Sequence, residues 1–159
     1  MPADEPGNQA PATLRTLMQP HPEGGRFRQV WTSGQSVSPL DGRSDRAAGT
    51  AIQYLLEPGE EARWHRVGSD ELWVWQDGGP ASLLTSTAPP GTPDHRPHGH
   101  PLGRPVPQGT HGPASRAWES GHFLVPAGTW QCTRLTLNSY ALFLCVVAPG
   151  FDTRDYTLL

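Results

Sequence analysis

An imidazole at position 65 and a carboxyl at position 71, separated by the corner Gly68-Ser69-Asp70, are the groups in this chain best suited to moving protons. Imidazole titrates near neutrality, and a carboxyl buried among apolar side chains is pushed toward the same range, so the two can exchange protons with a substrate. His65 is the preferred base and Glu71 its orienter or the opposing acid. The competing reading is a pair that only hydrogen-bonds to itself inside the core. Tyr54, Trp73 and Trp75 offer flat, dry walls suited to a ring, although tryptophans also serve as ordinary packing. Arg63, with Arg66, Ser69 and Asp70, could meet a substrate carboxylate or phosphate, while Arg66 and Asp70 equally suit bracing the corner. His122 and Gln131 complete the candidate set.

Strands must position these groups. Alternation over 63–67 and 71–75 reads as two strands around a tight turn, with His65 and Val67 on one face and Glu71, Trp73 and Trp75 likewise sharing a face. Further strand-like runs occupy 26–31, 50–56, 81–87, 122–125, 129–135, 140–147 and 156–159, and a short helix fits 13–18. With 18 Gly, 18 Pro and only 17% charged residues, the composition favours short elements joined by turns. The expected fold is an all-β closed barrel or sandwich. An immunoglobulin-like sandwich ranks lower because no Cys-Trp-Cys spacing is visible, and a lipocalin-like barrel stays open.

The length suits one domain, 13–159, preceded by a flexible acidic arm, 1–12. The stretch 88–117 is so rich in Pro, Gly and His that it reads as a long surface loop, either a disordered insertion or a lid. Its His95, His98, His100 and His111 are too irregularly spaced to specify a metal site. A net charge of -3, with Arg as the sole basic type beside His, gives no cationic stripe for nucleic acid. Neither a membrane span nor a secretory leader is expected, which makes the cytoplasm the default location. Cys132 and Cys145 suit buried free thiols.

Gly59, His65, Glu71 and Gly78 are spaced much as in the first cupin motif, with Val67 where that motif has a second His. Pro126-Ala127-Gly128-Thr129-Trp130-Gln131 resembles the second motif, with Gln131 in place of its last ligand. Together with Pro20-His21-Pro22-Glu23-Gly24-Gly25, Trp64-His65-Arg66-Val67 and Val147-Ala148-Pro149-Gly150-Phe151-Asp152, these blocks resemble the cupin group known as DUF985 or cupin_5. The resemblance implies a jelly-roll β-barrel, a homodimer and a ligand pocket without an agreed reaction. Val74 stands where the group commonly has His, and His122 where it commonly has Gln.

A metal needs three or four converging ligands, and His65 and Glu71 supply two. Gln131 would add a weak amide oxygen, and the strand phase of His122 is open. No cofactor is therefore expected; were a metal present, His65, Glu71 and Gln131 would be its ligands. The leading expectation is metal-independent acid/base chemistry on a ring-bearing metabolite such as a sugar, by an isomerase, epimerase, dehydratase or cyclase. The alternatives are a noncatalytic small-molecule binder and a metal-dependent oxygenase or isomerase.

Overall fold

The computed structural model describes residues 9–105 and 120–159. After helix α1 (Ala12–Thr16) come β1 (Gln19–Pro20), β2 (Arg26–Thr32), β3 (Ser36–Val37), β4 (Arg46–Ala47), β5 (Thr50–Leu56), β6 (Glu61–Val67) and β7 (Asp70–Gly78). They are followed by β8 (Ala81–Ser86), β9 (His98–Leu102), β10 (His122–Val125), β11 (Trp130–Leu135), β12 (Ala141–Ala148), a 3-10 turn at Thr153–Asp155, and β13 (Tyr156–Leu158). One sheet has the order β1-β2-β5-β12-β7-β10 and the other β13-β6-β11-β8-β9, with β3 and β4 forming a separate small ribbon. Every pairing between these strands is antiparallel. The architecture is that of an all-β jelly roll, as the sequence leads one to expect.

The apolar runs of β5 and β12 pair at the middle of the first sheet, placing Phe143 opposite Tyr54 and Cys145 opposite Ile52. Tyr54, Trp73 and Phe143 from that sheet pack with Ala62, Leu83 and Leu102 from the other in one core. Burying such large side chains contributes roughly 1.5–3 kcal/mol each, which offsets the ordering of many short strands. Cys132 and Cys145 are both buried and free. No helix among the described residues is long and apolar enough to cross a membrane.

Three expectations need correction. The stretch 88–117 is not loop throughout, since residues 98–102 form β9, paired to β8, and Leu102 is fully buried in the core. Pro101 is tolerated because β9 is an edge strand, where a missing N–H interrupts few ladder bonds. Residues 106–119, including His111, lie outside the described residues. The arm is anchored at its end, because Ala10 is buried against Met18, Leu55 and Leu142. The third is the candidate catalytic role of His122, since the phase of β10, left open by the sequence, turns Phe123 and Val125 toward the core and leaves His122 exposed.

Candidate functional site

A cavity of about 350 Å³ opens into the sheet carrying β5, β7 and β12. Ile52 and Tyr54 from β5, Glu71 and Trp73 from β7, and Cys145 and Val147 from β12 line it. These residues alternate along their strands, so a two-residue period delivers each set to one face. Opposite them, the wall is completed by Val67, by His21, Pro22 and Glu23 before β2, and by Phe151, Thr153 and Tyr156 near the end of the chain. Phe151 lines the cavity while remaining 41% exposed.

The turn that carries Glu23 is held closely. His21 N–H donates to the Gly25 carbonyl at 3.0 Å, and Arg63 N–H donates to the Glu23 carbonyl at 2.9 Å. Gly24 has φ +113°, and a Cβ there would collide with the Glu61 carbonyl, so only glycine lets the turn lie this close to β6. Tyr54 Oη donates to the Gly24 carbonyl and fixes the turn from inside. The result is a carboxyl 7% exposed whose oxygens accept no hydrogen bond from the described residues beyond close approaches to two imidazoles.

Neither imidazole is a cation. His21 Nδ1 accepts the Glu23 N–H at 3.1 Å, so its ring proton sits on Nε2, and burial lowers its pKa to about 4. His65 Nδ1 lies 2.7 Å from the Arg63 carbonyl, an acceptor only, so this nitrogen carries the proton; burial lowers the pKa of His65 to about 4 as well. With no cationic imidazole to compensate it, Glu23 is held well above the ordinary carboxylate range, first by burial and then by the Glu71 carboxyl. Tyr156 Oη is buried beside Glu23, close enough to favour its ionised form yet outside hydrogen-bonding geometry.

Glu71 is tied more firmly. Gln131 Nε2 donates to Glu71 Oε2 at 2.6 Å, and Trp73 Nε1 donates to Gln131 Oε1 at 2.8 Å. The indole N–H fixes which end of the amide faces the carboxyl. Burial raises the pKa of Glu71 to about 7, opposed by the Gln131 bond.

Of the residues singled out from the sequence, Tyr54, Glu71 and Trp73 meet on the cavity wall. His65 is buried behind that wall, with Gln131 opposite it in the β6–β11 pairing. Trp75 packs against the core beyond the cavity, its Nε1 donating to the Gly79 carbonyl at 3.1 Å. Arg63 is exposed, donating from Nη2 to the Pro22 carbonyl at 2.7 Å, so it braces the turn from outside. His122 is opposite Val74 at the sheet edge and does not reach the cavity. Sequence reading missed Glu23, His21 and Tyr156 as site residues. The available signal was an acidic residue set before two consecutive glycines, a composition that permits a turn to fold inward.

The residues at the cupin ligand positions do not fit a metal. Val67 has no donor atom, and the Gln131 amide is committed at both ends, to Trp73 and to Glu71. Among the described residues, no three His, Cys, Asp or Glu side chains converge as a metal site would require.

The family model described as "Cupin superfamily (DUF985)" matches residues 14–159. A protein from Shewanella oneidensis is 26% identical, with a TM-score of 0.74 over 92% of this chain and 82% of that one. A hypothetical protein from Leishmania major is 29% identical, with a TM-score of 0.74 over 92% and 84%. Bacillus subtilis oxalate decarboxylase, in a variant form, shares the fold at 18% identity and a TM-score of 0.56, covering 88% of this chain and 29% of that enzyme. No curated protein matches.

Proposed function

Because the chain belongs to the DUF985 (Cupin_5) family of the cupin superfamily, we propose that its cavity binds a small ring-bearing metabolite and catalyses metal-independent proton transfer on it. Cupin membership supports small-molecule binding. The single observation that carries the catalytic reading is the presence of two carboxyls on facing walls of one dry cavity, both held above the ordinary carboxylate range. Glu71, near its midpoint at neutral pH, takes a proton from the substrate, and Glu23, held as the acid, returns one at another position. One proton leaves and one arrives, so isomerisation or epimerisation needs no electron acceptor. If the Glu23 proton goes to a departing hydroxyl, water is lost and the reaction is a dehydration. The role of base thus passes from His65 to Glu71, and His65 becomes a positioning residue beside Glu23, its Nδ1 lying 3.5 Å from Glu23 Oε2.

The test works with an unidentified substrate. Native mass spectrometry of the purified protein identifies a co-purifying compound, which is then incubated with the protein in deuterated water. Wild type is expected to introduce carbon-bound deuterium, and Glu71→Gln to introduce none. A compound that stays bound yet returns unlabelled from wild type would make the protein a noncatalytic binder.

A further inference from the structure

We infer that the cavity takes a compact organic cation, an amine or quaternary ammonium carried on a small ring, in preference to a carboxylate or phosphate of the same size. This rests on the reading of the cavity as the ligand site, but not on turnover.

Among the described residues, the wall contains two carboxyls, Glu23 and Glu71, and no Arg or Lys. The guanidinium of Arg63 acts on Glu23 from an exposed position, where it donates to the Pro22 carbonyl. The imidazole of His21 contributes no positive charge, since its Nδ1 is an acceptor for a backbone N–H. An anion entering here would be desolvated beside these carboxyls with no cationic side chain on the described wall to receive it, which is costly at short range, whereas a cation would favour their ionised forms. A cation meets the reverse situation. Glu23 is buried and accepts no hydrogen bond from the described residues, and the Tyr156 hydroxyl beside it is also without a partner. Both residues line the volume, so a donor N–H entering it would come up against the Glu23 carboxyl.

The remaining wall supplies the second half of cation recognition. Phe27, Tyr54, Trp73, Phe151 and Tyr156 all line the cavity. Tyr54 and Trp73 stand nearly perpendicular, with ring centroids 5.7 Å apart and planes at 88°, so two walls meet at a right angle. Aromatic faces attract cations through the ring quadrupole, by about 2 kcal/mol or more where water is excluded. A volume of about 350 Å³ is near the lower limit for small-molecule sites, which suits one ring and excludes a nucleotide-linked substrate.

The experiment compares three probes of one shape, namely benzylammonium, benzyl alcohol and benzoate, by titration calorimetry and ligand-observed NMR at pH 7. Benzylammonium is expected to bind at least tenfold more tightly than benzyl alcohol, with benzoate weakest. Glu71→Gln and Glu23→Gln, each checked for folding by circular dichroism, should lose most of that preference. If benzoate binds as tightly as benzylammonium, or the preference survives in both variants, the inference is wrong while the cavity stands as the ligand site. If none of the probes binds, this inference is overturned, while the proposed function stands or falls on the co-purifying compound.

Discussion

Gln131 donates to Glu71 across the core, at 2.6 Å between Nε2 and Oε2, joining the sheet that contains β11 to the sheet that contains β7. The same amide accepts from Trp73, so its removal leaves two buried polar groups without partners. Gln131→Leu is expected to destabilise the fold by about 2–4 kcal/mol, because stranded donors and acceptors carry their full desolvation cost. It should also raise the Glu71 pKa further, since the bond to Gln131 is what holds it down. Urea denaturation and a carboxyl-carbon NMR titration measure the two effects; a loss under about 1 kcal/mol would show that the amide is not the tie between sheets.

The dependence of stability on pH follows from opposed shifts. Glu71 titrates at about 7 in the folded state against 4.5 ordinarily, so the native state holds the extra proton across that window. Stability from this group falls as pH rises from 4.5 through 7 and stays low above it. His21 and His65 titrate at about 4 against 6.5, so the native state binds fewer protons between those values, and their contribution falls as pH drops from 6.5 through 4. Glu71→Gln removes the first slope and, by taking away a neighbouring carboxyl, also lessens the rise of Glu23, which acts in the same direction. Relative to wild type, this variant should gain on the order of 3 kcal/mol between pH 4.5 and 8, measured by denaturation at each pH. A parallel offset at every pH would contradict the raised Glu71 pKa.

Two glycines with positive φ allow a paired test of the inward turn. Gly24 faces the Glu61 carbonyl, whereas Gly91 has φ +84° with open space around it. Gly91→Ala should cost about 1 kcal/mol from local backbone strain, and Gly24→Ala clearly more, because the turn must also withdraw from β6. The second variant should lose cavity ligands as Glu23 is displaced. Thermal melts and probe titration follow both; equal costs would mean that the close approach is unimportant.

Leu102 tests whether β9 is part of the core. It is fully buried beside Leu83 and Ala81. Leu102→Ala should destabilise by about 2–5 kcal/mol, a loss that a residue in a surface loop would not produce. Denaturant titration reads it directly.

The strands around Glu71 were legible because strict alternation in Glu71-Leu72-Trp73-Val74 marks an inward face whatever strand pairs beside it. Glu23 was not legible as a site residue, since its burial depends on contact with β6, some forty residues later, and a His-Pro-Glu-Gly-Gly stretch has no period of its own. His65 shows a different limit. Alternation correctly sends it inward, but burial alone does not distinguish the lining of a cavity from the layer behind it, and its Nδ1 proton is spent on Arg63. Strand β9 was hidden by composition, because His98-Gly99-His100-Pro101-Leu102 carries turn-forming residues that an edge strand accepts. The phase of β10 became clear only with Phe123 packed on the core, which fixed His122 on the other side.

The cavity is bounded by residues as far apart in the chain as His21 and Tyr156. An unfolded or half-formed molecule therefore has no version of it, and any guest stitches remote segments together. Occupancy should appear as resistance to melting, worth about 2.7 kcal/mol at a hundred times the dissociation constant, so a thermal-shift screen can find guests before any reaction is known.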